Sequence, residues 1–283
     1  MNKILLGLML LLVGACSPKI SRLSSHAPVI RVKYHEKIIN VNLDKYVAAV
    51  LAGEVHESWP MEALKAQAVA ARTFALLRMR ERRDRDFHTE SSVMDQVFKT
   101  HASKKLADAA RETAGLVLSY QNNLAEASFH STCGGHTTDA KSVWGRGYAY
   151  LKGVPCTFCS SSPSYRWQQS IALSEVENKL KRPIKKISIK SKSADGRAEK
   201  ISISPGGDIS AQSLRMSIGP MRIKSTMMSE LRISENKLII AGSGFGHGVG
   251  MCQYGALGVA KQGKNFRDIL GYYYPGTEIT KIY

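Results

Sequence analysis

The chain has 283 residues, 43% of them hydrophobic and 7% aromatic, which are the proportions of a soluble globular protein with ample length for a packed core. Forty Lys and Arg against 23 Asp and Glu give a formal charge of +17, which for an exported protein points to an anionic polymer or membrane surface more than to nucleic acid. The absence of internal repeats and low-complexity stretches excludes a repeat array.

The N-terminal MNKILLGLMLLLVGACS combines one lysine, an apolar run from Ile4 to Val13 and small residues before a cysteine, the layout of a secretory signal. The run is too short to be a permanent membrane span. Val13, Gly14, Ala15 and Cys16 resemble a bacterial lipobox, in which Cys16 is lipidated and anchors an exported protein to a membrane. Ordinary cleavage with Cys16 incidental is the alternative. Ser17, where an aspartate is absent, favours the periplasmic face of the outer membrane by resemblance to Gram-negative lipoproteins. Residues 1–15 are thus expected to be a signal and 16–28 a Ser- and Lys-rich tether.

VIRVKYHEKIINVNL alternates apolar and polar positions around a turn near His35 to Lys37, which predicts a hairpin. Asp44 is placed to cap a helix through Tyr46, Val47, Val50 and Leu51 that stops near Gly53. Ser58 and Pro60 signal a new start, and MEALKAQAVAARTFALLRMRERR predicts a long alanine-rich helix. Glu54 falls at the end of the first helix, where unpaired carbonyls disfavour a carboxylate and raise its pKa, as a general acid requires. An ordinary solvated glutamate is the plainer reading. Lys65 and Arg72, seven apart, share a helix face that either meets an anionic ligand or is simply solvated.

SSVMDQVFKT at 91–100 reads as a short strand, Ala107 to Thr113 as a helix ended by Gly115, and LVLSY with AEASFHS as strands paired around Gln121 to Asn123. Next come CGGH, with Cys133 and His136, and CTFC, with Cys156 and Cys159. Two chelating pairs of thiolate and imidazole suit tetrahedral zinc, and four protein donors make a closed, structural site with no position left for a reactive water. Against a zinc brace stands a Cys156–Cys159 disulfide with Cys133 free, which an oxidising compartment permits.

From 165 to 240 the chain is rich in Lys, Ser and Ile, with a hairpin signal in KKISIKSKS, ADGR and KISIS, a short segment at SLRMSIGP and a strand at ENKLIIAG. This stretch is either a second lobe or an elaboration of the region formed by 29–164 and 241–283. Glycines at 242, 244, 246, 248 and 250 let a loop approach a ligand closely, and a helix runs from about Met251 to Gly263. The loop lacks the lysine and hydroxyl of a phosphate site. His247 within it is a site residue or a satisfied imidazole, and Cys252 reads as a small buried helix residue outside the metal set. The fold class is α+β, with mixed helices and antiparallel hairpins around a cleft.

AVLAGEVHESWPMEALKAQAVAARTFAL, DQVF, FHSTCGGHTTDAKSVWG with YLKGVPC, and GFGHGVGMCQYGALGVAKQG with ILGYYYPGT resemble, in order, the stage II sporulation protein D family, also called SpoIID/LytB. The resemblance implies a lytic transglycosylase acting on peptidoglycan strands stripped of stem peptides. It implies Glu54 as the catalytic acid, Arg72 as a residue implicated in activity, and Gln96, His130 and His247 as candidate substrate-cleft residues. Lys65 and Arg72 would then hold the lactyl carboxylate of the sugar. Many members carry serine at the position of Cys252, so the resemblance does not itself locate a metal. A non-catalytic wall-binding protein that stimulates a cell-wall amidase is the alternative within the same family.

Overall fold

The computed structural model describes residues 26–92 and 95–283, so the signal and the lipidation expected at Cys16 lie outside the described residues. Among the described residues, no helix is long and apolar enough to cross a membrane.

Strands β1 (Val29–Tyr34) and β2 (Lys37–Asn42) form the expected hairpin, closing at Tyr34 opposite Lys37. Helix α1 (Leu43–Glu54) follows, capped by Asn42 and not by Asp44, because the Asn42 side chain accepts from the N–H groups of Asp44 and Lys45. Asp44 is thereby left free for another partner.

Helix α2 (Met61–Glu81) starts after Pro60 and is buried along most of its length. Its alanines explain why. Ala63, Ala66 and Ala70 face one apolar cluster, Ala71 and Ala75 a second, and Ala68 a third, so small side chains let neighbours approach from several directions. Fully buried Leu64 and Val69 each contribute roughly 1.5–3 kcal/mol to this packing.

Strand β3 (Thr89–Glu90) runs parallel to β1. No strand forms among the described residues of 91–100, where one was expected; they carry an isolated Ser91–Gln96 bridge. Asp95 is anchored through its carboxylate, which pairs with Arg82 and accepts the Glu90 N–H at 2.9 Å. Helix α3 (Lys104–Glu112) leads into β4 (Leu116–Tyr120), which pairs with β5 (Asn123–Leu124) for two residues only. AEASFHS, expected as the partner strand, departs after Ala125 donates to the Leu118 carbonyl, and β6 (Phe129–His130) finds its partner near the C-terminus. A short α4 (Ala140–Trp144) and a 3-10 turn (Thr157–Cys159) complete this region.

Residues beyond Tyr165 carry their own apolar cluster, including Trp167, Ile187, Ile201, Leu214 and Ile240. It lies between β7 (Arg166–Ala172), α5 (Leu173–Leu180), β8 (Lys186–Lys192), β9 (Ala198–Ser204), β10 (Gly207–Ser210), α6 (Ala211–Ile218), β11 (Met228–Ser234) and β12 (Lys237–Ser243). The sheets are ordered β10-β9-β8 and β11-β12-β7, all antiparallel, and β8–β9 is the hairpin read from the alternation. Most of the short segment SLRMSIGP falls in α6, which is started by the Ser210 side chain accepting from Ser213 N–H and ends at Ile218.

The C-terminal stretch returns to the first region. Strand β13 (Met251–Cys252) pairs parallel with β6, helix α7 (Gln253–Lys261) follows, α8 (Phe266–Tyr273) is opened by an Asn265–Asp268 capping box, and β14 (Glu278–Lys281) pairs with β4. Helices and antiparallel sheets together make the α+β class anticipated from the sequence.

Candidate functional site

Glu54 is the last residue of α1, and its half-buried carboxyl is held from two sides. Oε1 accepts the Val97 N–H at 2.8 Å and Oε2 accepts the Gln253 side-chain N–H at 3.2 Å. Burial raises its pKa above the usual carboxylate range, and the two donors partly offset that rise. Gly53 makes the approach possible: a Cβ there would lie 2.1 Å from the Val97 carbonyl oxygen. Trp59 and Tyr254 meet edge to face at 5.2 Å, each a few residues along the chain from Glu54 or beside Gln253. Gln253, which sequence reasoning passed over, has its backbone next to Cys252 and is only 5% exposed. A cavity of about 720 Å³ between Gly134, Trp167 and Ser243 does not include Glu54.

The residues expected to bind substrate are placed differently from Glu54. Arg72 is 0% exposed, and its guanidinium donates to Asp44 at 2.9 Å, to the Tyr283 hydroxyl at 3.1 Å and to the Ala110 carbonyl at 2.9 Å. It is a buried strut linking α1, α2, α3 and the C-terminal residue, which corrects the expectation that it meets an anionic ligand. Arg72→Met is accordingly expected to lower stability by about 3 kcal/mol, since it strands Asp44 and several acceptors; urea denaturation of the variant measures this.

Lys65 is already paired, with Glu62 at 3.1 Å and Glu112 at 2.8 Å. Gln96, 1% exposed, accepts from the Tyr46 hydroxyl and donates to the Ala71 carbonyl. It therefore fixes the loop that presents Val97 to Glu54 and does not reach a substrate itself. His247 is also spoken for: Nε2 donates to the Phe129 carbonyl at 2.9 Å and Nδ1 accepts the Val249 N–H at 3.1 Å. The Nδ1 contact requires a neutral ring, and burial pushes its pKa down to about 4. His130 is 4% exposed and donates from Nδ1 to the Val249 carbonyl, while its buried Nε2 has no partner. Of the five, His130 alone retains an unused ring nitrogen.

The glycine-rich loop packs on protein, not on open space for a ligand. Gly250, at φ +70°, would put a Cβ 2.0 Å from the Ser128 carbonyl oxygen, so only glycine lets β13 lie beside β6. That pairing sets Cys252 opposite His130 and brings its thiol to Cys133, Cys156 and Cys159. The four sulfurs lie within 4.8 Å of one another, all buried and none in a disulfide. His136 does not join them; its Nδ1 donates to the Thr137 carbonyl. The expected ligand set is thus corrected at one member, with Cys252 in the place given to His136.

The donor chemistry fits zinc. Four thiolates about 2.3 Å from one ion would stand roughly 3.8 Å apart, and Cys133 and Cys159 Sγ are already 3.5 Å apart. Hydrogen-bond donors already face two of the sulfurs: Cys252 Sγ accepts from the N–H groups of Cys133 and Gly255, both at 3.2 Å, and Cys156 Sγ lies 3.1 Å from the Tyr273 hydroxyl. Cys252 is also the N-cap of α7, where the helix dipole presents positive charge. The cluster joins the CGGH loop, the CTFC turn and the start of α7.

The stage II sporulation protein (SpoIID) family model matches residues 32–120 of the chain, from β1 through Glu54 and α2 to β4. An uncharacterized protein of Brachyspira hyodysenteriae is 33% identical over 260 residues, covering 88% of this chain and 70% of that protein. The amidase enhancer of Bacillus subtilis is 28% identical over 294 residues, covering 82% of this chain and 40% of that protein. Stage II sporulation protein D of Bacillus subtilis is 33% identical over 274 residues, 90% of this chain and 78% of that relative, and on this likeness the chain belongs to the SpoIID family.

Proposed function

We propose that the chain is a lytic transglycosylase that cuts the bond between N-acetylmuramic acid and N-acetylglucosamine in peptide-free peptidoglycan strands, with Glu54 as the one acid and base. The observation that carries this reading is the Glu54 carboxyl itself, half-buried, raised in pKa by burial and fixed by Val97 and Gln253. Protonated Glu54 gives its proton to the glycosidic oxygen, and an oxocarbenium-like centre develops at the muramic acid C1. The carboxylate then takes the proton of the C6 hydroxyl as that oxygen bonds to C1, giving a 1,6-anhydro end without consuming water. A hydrolase would need a second, free carboxylate. Nearby Glu57 is exposed, and Glu62 is engaged by Lys65 and by the Phe266 N–H at 2.8 Å.

Gln253 is the positioning residue. Its amide can present either N–H or oxygen, so it can serve Glu54 in both the charged and the protonated form. As a donor it stabilises the carboxylate and lowers the pKa. Gln253→Ala removes that donor, so the pKa rises further and the protonated acid persists to higher pH. The expected result is an upward shift of the alkaline limb in the pH–rate profile, with a reduced maximal rate.

Zinc, when bound by the four cysteines, would supply a cross-link and no chemistry, because its coordination is filled by protein. Cys252 and Gln253 are consecutive, so bracing the first aims the second at Glu54. The formal charge of +17 would draw strands bearing lactyl carboxylates. The N-terminal signal and Cys16 would deliver the protein as an exported, lipid-anchored component of the envelope.

The likeness to an amidase enhancer favours a second reading, a peptidoglycan-binding protein that recruits or stimulates a cell-wall amidase. Incubation of the purified protein with peptide-free glycan separates the two: the first reading expects cleavage by the protein alone, the second expects binding without new chain ends.

A further inference from the structure

The last turn of α2, the tip of the β4–β5 hairpin and the segment after α4 enclose a cavity of about 280 Å³ that Glu54 does not line. Its size is at the low end for ligand sites, enough for one sugar ring and not for a strand. The wall is aromatic on one side: Tyr120 and Tyr148 each pack on Tyr150, with ring centroids 4.9 and 5.6 Å away. The Tyr150 hydroxyl oxygen accepts the Glu126 N–H at 2.8 Å, which leaves its own proton to donate elsewhere. On the rim, Asn123 has a buried Oδ1 with no partner.

The charge is uneven. Arg78 satisfies both carboxylates of the wall, pairing with Glu81 and, at 3.1 Å, with Glu126. Lining residues Arg80 and Arg146 are exposed and have no ion-pair partner among the described residues; Arg146 lies 5.1 Å over the Tyr148 ring. Three arginines against two carboxylates leave one positive charge uncompensated, beside aromatic faces and unused hydrogen-bonding groups. This combination suits a sugar ring, whose C–H face stacks on tyrosine, and specifically one that carries a carboxylate for the arginines.

We propose that this cavity binds a single carboxylate-bearing amino-sugar ring, as an accessory subsite for a glycan strand. The role of the strand rests on the proposed function; the binding of the ring does not. The probe is N-acetylmuramic acid, a monosaccharide with no bond to cleave, titrated into the full protein and followed by calorimetry and by amide chemical shifts at Asn123 and Tyr148. N-acetylglucosamine and lactate serve as controls lacking the carboxylate and the ring.

The expected result is saturable binding of N-acetylmuramic acid, at least tenfold tighter than either control, and at least tenfold weaker in the Arg80→Ala/Arg146→Ala double variant. Neither arginine leaves an unpaired charge when removed, so the variant should retain the wild-type circular dichroism; Arg146→Gln provides a milder second test. Equal binding of the neutral sugar, no binding, or binding undiminished in both variants overturns the proposal. Cleavage of peptide-free glycan is scored separately: cleavage without muramic acid binding removes the subsite and leaves the enzyme, and binding without cleavage does the reverse.

Discussion

Cys252→Ala is expected to abolish stoichiometric zinc binding and to unfold the chain or lower its melting temperature severely, whereas His136→Ala should retain one zinc and near-normal stability. The contrast follows from the sulfur cluster, which includes Cys252 and leaves His136 bonded to its neighbour's carbonyl. Structural zinc in small modules is worth about 10–16 kcal/mol, comparable with the whole stability of a typical domain. Losing one of four ligands also strands three buried thiols near the start of α7. Metal content by mass spectrometry together with thermal melts, with and without chelator, measures both effects. Retention of zinc by Cys252→Ala with its loss in His136→Ala would reverse the assignment.

Glu54→Gln is expected to preserve the fold and to reduce glycan cleavage by about 10²–10⁴-fold, the span associated with a positioned acid–base group. A glutamine can still accept from Val97 N–H, and Gln253 can turn its amide to offer oxygen, so both restraints survive the change. Stability should move in the opposite direction to activity. A carboxyl with a folded pKa raised by burial destabilises the folded protein once pH exceeds the unfolded value, and the penalty grows until the folded pKa is passed. Glu54→Gln removes that penalty, so the variant should be more stable than wild type at neutral pH and equal to it in acid. Denaturation at both pH values tests the sign. The neutral-pH gain also separates a poised acid from a solvated glutamate, whose replacement would alter stability at neither pH.

What the sequence reveals about this site follows from whether the determining interactions are local. The β1–β2 hairpin, the break at Glu54 and the start of α2 at Pro60 are written in alternation, capping and proline, and all stand where those signals put them. Three of the four clustered thiols were likewise legible from the CGGH and CTFC spacing. The fourth is not local: Cys252 reaches Cys133 because β13 pairs with β6, and pairing across 122 residues leaves no periodic trace. A signal was present nonetheless. Setting aside Cys16, the chain has four cysteines, an even and sufficient ligand set that the reading at Cys252 left incomplete.

Arg72 shows the complementary limit. Helical spacing correctly says which residues share a face with Lys65, but it cannot say what covers that face. Here Asp44, Ala110, Thr113 and Tyr283 close over Arg72, from parts of the chain up to 211 residues away. His247 and Gln96 show a similar limit, since the Phe129 carbonyl that meets His247, and the Ala71 carbonyl and Tyr46 hydroxyl that meet Gln96, are 118, 25 and 50 residues away along the chain. Gln253 was overlooked because an amide after a cysteine has no local signature of chemistry; only the fold sets it 3.2 Å from Glu54.

The most direct test of the account is the mass of the chain ends produced when the protein and its Glu54→Gln variant are each incubated with peptide-free glycan. The account predicts muramic acid ends one water lighter than reducing ends from the wild type, and none from the variant. Reducing ends from the wild type, or anhydro ends in equal yield from the variant, would contradict it.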